Sequence, residues 1–142
     1  MRRIFINVMV FYLAFWSVII PNRATALTLT KIKCEEMPNK YWTPQLARNY
    51  ARVIALNKYG WGRGEYKALN KLWTRESHWN ASAYNSDADR WSGEHAGGIP
   101  QLLALDPRTP APLQIERGLA YISSRYSKPS IAWGHHRNHG WY

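Results

Sequence analysis

Apolar residues recur at helical spacing in the middle of the chain, between residues that typically begin and end helices. Thr43 and Pro44 form an N-cap followed by proline at the first helical position, and Gly60 stands where a helix would end. Between them the repeat is carried by Leu46, Tyr50, Val53, Ile54 and Asn57. This spacing predicts a first amphipathic helix.

Two further segments show the same spacing. A second helix is predicted from about Glu65, with one stripe formed by Tyr66, Leu69, Leu72, Trp73 and Glu76. A third is predicted from near Leu113 to Pro129, with a core stripe of Ile115, Leu119, Ile122 and Tyr126. A short helical turn is expected around Ile131 to His135. No alternating strand pattern is present, so the predicted fold class is mainly α.

The segment from Asn80 to Pro112 separates the second and third helices and has no apolar period. It is dominated by Asn, Ser, Asp, Gly and Pro, which favour loops. Structureless stretches of this length in small domains usually serve a function. The sequence therefore predicts a long loop that contributes to a site.

The first 26 residues have the pattern of a signal peptide. Arg2 and Arg3 precede an almost wholly apolar stretch over residues 4–20, and Ala24-Thr25-Ala26 fits a cleavage site. An uncleaved membrane anchor is the alternative, and it would be the protein's only association with a membrane. In either case the protein is expected to be exported. We divide the chain into a signal peptide (1–26), a flexible lead (27–42) and a folded domain (43–142).

Composition limits the classes of protein that remain. The chain has 142 residues, with 19 Lys and Arg against 9 Asp and Glu, a net charge of +10. Without Arg2, Arg3 and Arg23 the 16 basic and 9 acidic residues leave +7. An exported basic monomer is expected to meet anionic cell-envelope polymers, not nucleic acid. The single Cys34 cannot form an internal disulfide, and the length excludes a two-domain enzyme.

Glu76 is the anomalous residue of the second helix. It lies three residues after Trp73 and four after Leu72, so it shares their apolar stripe. Burial would raise the pKa of its carboxyl group, as a general acid working near neutral pH requires. The alternative is a helix-end residue whose head group reaches water or pairs with Arg75 or Lys71.

The residues around Glu76 resemble a known motif. The run Leu72-Trp73-Thr74-Arg75-Glu76-Ser77-His78-Trp79-Asn80 resembles the Leu-Trp-x-x-Glu-Ser-x-Trp-Asn signature of the lysozyme-like lytic transglycosylase superfamily, in the branch found with aggregation-promoting factors and in phage and actinobacterial proteins. Further matches follow in order: Ala83, Asn85, Gly98-Ile99-Pro100-Gln101, Gln114-Ile115, Gly118-Leu119, Tyr121-Ile122, Arg125-Tyr126, Pro129, Ala132-Trp133-Gly134-His135 and Gly140-Trp141-Tyr142. The resemblance covers residues 51–142.

The resemblance implies a small lysozyme-like α-domain that binds peptidoglycan glycan strands without a cofactor. Glu76 would be its single catalytic carboxyl group. It would protonate the bridging oxygen of the MurNAc–GlcNAc bond and then accept the proton of the MurNAc C6 hydroxyl, which closes a 1,6-anhydro ring. A second carboxylate, as ordinary glycosidases need, would be dispensable.

Supporting roles follow from the same resemblance. Ser77 would hydrogen-bond and orient the Glu76 carboxylate, Gln101 would contact an acetamido sugar, and Tyr121 would bring its hydroxyl near Glu76. Tyr121 lies three residues after Gly118, whose missing side chain could admit a ligand. The alternative is a tyrosine that only packs.

Glycine and tryptophan complete the predicted site. Gly98 would let the backbone approach a sugar, although a loop glycine can equally serve a turn. Sugar faces stack on aromatic rings, and the candidates for lining the groove are Trp91, Trp133 and Trp141. Trp73 and Trp79 are expected to pack the core instead.

The chain also departs from this branch. The stretch between Asn85 and Gly98 is longer than expected, Gly97 replaces a common aromatic, and a frequent cysteine pair is replaced by Ala68 and Ser130. The longer loop contains Asp87 and Asp89. Either could place a water, as in goose-type lysozymes, so a hydrolytic muramidase is one alternative. A non-catalytic glycan-binding module is another.

His135-His136-x-x-His139 has spacing that suits metal ligands on a helix. Gly134 and Gly140 argue against a long helix here, and no acidic residue is near in the sequence. We therefore expect no metal site.

Overall fold

The computed structural model describes residues 37–142. The predicted signal peptide, Cys34 and most of the predicted lead lie outside the described residues. The described part has four α-helices: α1 (Pro44–Tyr59), α2 (Arg63–Ser77), α3 (Ala111–Tyr126) and α4 (Pro129–His139). Two antiparallel two-residue strands, β1 (Ala96–Gly97) and β2 (Leu102–Leu103), form a small hairpin. The predicted mainly α class is confirmed. In this part of the chain no helix is long and apolar enough to cross a membrane.

Both predicted ends of α1 are confirmed, and its predicted apolar face is confirmed in part, since Leu46, Tyr50 and Ile54 are partly buried against the core. The Thr43 hydroxyl accepts the Leu46 amide at 3.2 Å, and Gly60 ends the helix in the left-handed region at φ 67°. Val53 is 52% exposed. The fully buried positions are Ala47, Ala51 and Ala55. Small side chains four residues apart allow the helix to pack closely, which a search for large apolar residues overlooks.

The core stripes of α2 and α3 are confirmed. Leu69, Leu72 and Trp73 of α2 are fully buried. In α3 the buried positions are Ile115, Leu119, Ile122 and Tyr126, as predicted. Each helix begins two residues earlier than predicted. α2 packs mainly against α4, and α3 packs against α1 and α4. These stripes therefore form one shared core.

α4 is longer than the predicted short turn. It has 11 residues and runs through Gly134, so the expectation that this glycine argues against a long helix is wrong. Glycine in a helix interior costs only about 1 kcal/mol, which the burial of Ala132 can offset. The start of α4 is tied to α2, since the Glu65 carboxylate accepts the Ser130 amide at 2.8 Å and its hydroxyl at 3.0 Å.

The folded domain begins earlier than residue 43. Trp42, assigned to the flexible lead, is 4% exposed and belongs to the core. The Asn39 side-chain amide donates to the carbonyls of Pro107 and Thr109, each at 2.9 Å, and its carbonyl accepts the Ala111 amide. Residues 37–42 therefore hold the end of the long loop against the start of α3.

Two residues at helix ends provide a matched test of backbone strain. His78, exposed and just after α2, adopts φ 53°, a region that disfavours side chains. We expect His78→Gly to raise the free energy of unfolding by about 0.5–1 kcal/mol. Gly60→Ala should lower it by about 1 kcal/mol, because Gly60 has φ 67° and an added Cβ would meet no atom within 4 Å. Urea unfolding measures both changes. A destabilised His78→Gly variant would show that the imidazole itself contributes to stability.

Candidate active site

An open groove of about 720 Å³ runs across the face where α2, α3 and the long loop meet. Its lining comes from the end of α2, the loop, the hairpin, α3 and the segment after α4: Glu76, Asn85, Asp89, Trp91, Ala96, Gln101, Leu102, Leu103, Tyr121, Arg125, Gly140, Trp141 and Tyr142. A smaller cavity of about 460 Å³ lies beside Met37 and Pro107, and its only ionisable lining residue is Arg108. The groove is therefore the candidate site.

Glu76 lies in the last turn of α2 with only 17% of its side chain exposed. Its Oε1 atom is buried and makes no hydrogen bond. Burial raises the pKa of this carboxyl group from 4.5 to about 7. In the described part of the chain neither Arg75 nor Lys71 forms an ion pair with it. The alternative of a pair with Arg75 or Lys71 is therefore wrong, whereas the head group does keep limited contact with the groove.

The residue that faces Glu76 is His136, for which the sequence predicted no role in catalysis. Its Nε2 lies 3.2 Å from Glu76 Oε1, although the two atoms are not aligned as a hydrogen bond. The imidazole stacks on Trp133 with the ring centroids 5.5 Å apart. Burial lowers the pKa of His136, and the nearby Arg75 and His135 lower it further. A neutral imidazole therefore faces the carboxyl group near pH 7.

His135, His136 and His139 do lie on one helix, α4. The rings of His135 and His139 stack on each other and do not point toward a common metal position. The centroids of His135 and His139 are 4.2 Å apart, and their Nδ1 atoms lie 2.9 and 3.0 Å from the carbonyl oxygens of Trp141 and His135. Within residues 37–142 no three His, Cys, Asp or Glu side chains are grouped so as to hold a metal ion.

Ser77 does not orient the Glu76 carboxylate, so that prediction is wrong. Its hydroxyl donates to the Ile99 carbonyl at 2.6 Å and accepts the Trp79 amide at 3.1 Å. Successive helical residues point about 100° apart, so the side chain after Glu76 faces the core. Ser77 is buried, and it acts by tying the end of α2 to the hairpin turn.

The hairpin turn Gly98–Gln101 is held from three sides. Besides Ser77, the fully buried Gln114 of α3 accepts the Ile99 amide at 2.9 Å. The Tyr142 hydroxyl donates to the Pro100 carbonyl at 2.7 Å and accepts the Trp73 indole N–H at 2.9 Å. These bonds place the turn, and with it Gln101, against α2.

Gln101 and Tyr121 both line the groove with Glu76. The Gln101 amide donates to the Gly98 carbonyl at 2.9 Å, which folds the side chain back over its own turn. Tyr121 is half-buried, and burial raises its pKa above the ordinary value. Their contact with a substrate stays a prediction.

The predicted roles of the two glycines are wrong. A Cβ on Gly98 would lie 2.5 Å from Gln114 Oε1, and one on Gly118 would lie 2.7 Å from both Trp73 and Pro100. Both positions are therefore closed by protein and offer no approach to a sugar. Gly98 also has φ 70°, so the alternative of turn chemistry applies to it.

The predicted tryptophan platforms divide between groove and core. Trp91 and Trp141 line the groove, and Trp91 is 92% exposed at the tip of the long loop. Trp133 does not line the groove and instead packs against the core and His136. Trp73 and Trp79 are fully buried, as predicted.

Arg125 and Tyr142 belong to the matched motifs, and both line the groove, although the sequence predicted no role for either. The Arg125 guanidinium lies 5.5, 5.7 and 6.0 Å from the rings of Trp141, Tyr126 and Tyr121. Burial raises the pKa of Tyr142 well above its ordinary value, and the charge of Glu76 raises it further. The run of aromatic residues along α3 and after α4 was the signal for this wall of the groove.

Asp89 shares the groove with Glu76, whereas Asp87 does not line it. Hydrogen bonds from the Ser92 amide and hydroxyl, and from the Trp91 amide, lower the pKa of Asp89. The groove therefore holds one carboxyl group that binds a proton near neutral pH and one partly exposed carboxylate that caps its own loop.

Comparison of the chain with protein-family models, with curated proteins and with solved structures gave no match. The relationship to the lytic transglycosylase superfamily stays a prediction from the motifs.

Proposed function

We propose that the protein is a peptidoglycan lytic transglycosylase that cleaves the MurNAc–GlcNAc bond and leaves a 1,6-anhydro-MurNAc end. The observation that carries the proposal is a buried carboxyl group, Glu76, with a pKa of about 7 in the wall of an open groove. Near neutral pH such a group exists in both forms, so it can donate a proton in one step and accept one in the next.

The reaction needs one carboxyl group. In the first step the protonated Glu76 gives its proton to the oxygen that joins MurNAc C1 to GlcNAc C4, and the C1–O bond breaks. In the second step the Glu76 carboxylate takes the proton of the C6 hydroxyl of the same MurNAc while O6 bonds to C1. Glu76 is protonated again at the end, and no water is consumed.

The groove suits a glycan chain. Trp91, Trp141 and Tyr121 offer ring faces on which apolar sugar faces can stack. The basic net charge favours encounter with an anionic cell wall. In this proposal the protein acts as an exported monomer on glycan strands, without a cofactor.

The products released from purified peptidoglycan sacculi test the proposal. We expect soluble muropeptides with 1,6-anhydro ends, each lighter by one water than a hydrolysis product, in mass spectra. Asp89→Asn should retain the wild-type rate within about twofold, because the intramolecular reaction needs no second carboxylate.

Each other result would overturn the proposal in a specific way. Reducing ends, together with loss of activity in Asp89→Asn, would identify a hydrolytic muramidase. Binding to sacculi without release of products would identify a glycan-binding module.

A further inference from the structure

The contact between α2 and α4 brings a second proton-binding group to the catalytic carboxyl. His136 and Glu76 are 60 positions apart in the chain, yet Nε2 and Oε1 are 3.2 Å apart. Both side chains are largely withdrawn from solvent, with 15% and 17% exposed. Since Oε1 itself is buried, the remaining exposure of Glu76 belongs to its other atoms. Oε1 therefore faces the imidazole, and the rest of the group faces the groove.

A buried carboxyl oxygen without a hydrogen bond is costly, and more so when it is charged. In the described part of the chain Oε1 makes no hydrogen bond, and the ion-pair contact recorded for it is with His136. The ring is stacked on Trp133, with the ring centroids 5.5 Å apart, and its Nε2 lies 3.2 Å from Oε1. The structure therefore provides one partner for this atom.

The surroundings keep this partner neutral. Arg75 and His135 both disfavour a charged imidazole, in addition to burial. The titratable and charged groups around the pair come from every neighbouring element: Arg75 on α2, Tyr121 and Arg125 on α3, His135 on α4, Asp89 in the loop and Tyr142 after α4. A neutral imidazole nitrogen accepts a hydrogen bond in one tautomer and donates one in the other.

We propose that His136 is a positioning residue that acts through Glu76, its neutral imidazole donating the Nε2–H to Oε1 in both states of the carboxyl group. The proton that Glu76 gives and takes back then resides on the other carboxyl oxygen, which faces the groove, and the imidazole neither gains nor loses a proton. A carboxyl group that must serve as acid and then as base needs a partner suited to both states. The catalytic consequence rests on the proposed function, whereas the contact and its titration do not.

Removing the nitrogen should affect the two states of Glu76 unequally. A hydrogen bond to a carboxylate is stronger than one to a neutral acid, so its loss disfavours the charged form more. We therefore expect His136→Phe, which keeps a ring on Trp133, to raise the pKa of Glu76 by about one pH unit. His136→Gln, whose amide nitrogen can occupy the place of Nε2, should stay within about 0.3 unit of the wild type.

The test is a carbon-13 NMR titration of the glutamate side-chain carboxyls in the whole protein, with Glu76 assigned by its absence in Glu76→Gln. His139→Phe is the matched control, because it removes a histidine from the same helix that contacts His135 and Trp141 but not Glu76. An unchanged or lowered Glu76 pKa in His136→Phe would overturn the proposal. So would an equal shift in His139→Phe.

A second measurement uses the wild-type protein, so it does not depend on whether a variant folds. Nitrogen-15 spectra of the histidine rings should show His136 as the neutral Nε2–H tautomer on both sides of the Glu76 titration, with the Nε2–H signal shifting as Glu76 ionises. A bare Nε2 in either state, or an Nε2–H signal that does not respond to Glu76, would contradict the proposal. Both NMR results are independent of glycan cleavage, so a protein that passes them and releases no muropeptides would refute the proposed function alone.

Activity supplies the final readout. If Glu76 is the acid and base, the alkaline limb of the pH profile of kcat/KM should move upward in His136→Phe by the same amount as the pKa of Glu76. It should return toward the wild type in His136→Gln. A uniform loss of rate with an unmoved profile would indicate a purely structural role and count against the proposal.

Discussion

Glu76→Gln is expected to reduce the rate of glycan cleavage by roughly a thousandfold or more. Glutamine keeps the shape of the side chain but can neither give a proton to the bridging oxygen nor accept one from the C6 hydroxyl. Binding to sacculi should persist, since the groove is unchanged. Release of soluble muropeptides measures the rate, and a pull-down with sacculi measures binding.

Glu94→Gln is the matched control for this variant. Glu94 lies in the exposed long loop and does not line the groove. We expect it to cleave at the wild-type rate. If Glu76→Gln retained more than about a tenth of the activity, general acid catalysis by Glu76 would be excluded.

Glu76→Gln should also stabilise the fold at neutral and alkaline pH. The unfolded carboxyl group ionises near 4.5 and the folded one near 7, so the folded state holds its proton longer. As the pH rises from 4.5 to 7 the wild type loses stability relative to the variant, and the difference above pH 7 should reach about 3 kcal/mol. Below pH 4.5 it should vanish. Urea unfolding at pH 4 and pH 8 checks this, and equal stabilities at pH 8 would show that Glu76 is not buried as described.

The apolar pattern was sufficient to predict where Glu76 lies but not what surrounds it. Leu69, Leu72 and Trp73 define the buried face of α2, and that face includes Glu76 by spacing alone. The partner His136 could not be predicted this way. The contact depends on how α2 and α4 pack, which the periodicity of neither helix contains.

Predictions from neighbouring residues in the sequence were wrong where a side chain could contact either a sequence neighbour or a residue from another part of the fold. Ser77 was assigned to the carboxylate next to it, but helical geometry turns it toward the Ile99 carbonyl. Gly118 was read as space for a ligand, yet Trp73 and Pro100 fill that space. On α1 the alanines are the buried face because small residues permit close packing, a property that hydrophobicity alone does not show. In each case the deciding contact is made by a residue distant in sequence.

Gln114→Leu is expected to cause the largest loss of stability. Gln114 is fully buried, and its side chain bonds three separate parts of the long loop. Oε1 accepts the Ile99 amide at 2.9 Å, while Nε2 donates to the carbonyls of Ala81 at 2.9 Å and Thr109 at 2.7 Å. Leucine fills a similar volume but leaves these backbone groups without partners. We expect a loss of about 3–5 kcal/mol in the free energy of unfolding.

In Gln114→Leu the long loop should lose its structure before the helices do, because its backbone groups are bonded by this side chain more than by either strand. β1 and β2 have only two residues each, so they cannot replace the lost bonds. Hydrogen exchange should therefore increase at the Ile99 amide and across the hairpin turn, and the placement of Gln101 in the groove should be lost with it. Gln45→Leu is the matched control: Gln45 is exposed, bonds only Asn49 at 3.0 Å, and should change stability by less than about 0.5 kcal/mol. If Gln114→Leu cost no more than this control, the core beneath the loop, and not the buried amide, would hold the turn against α2.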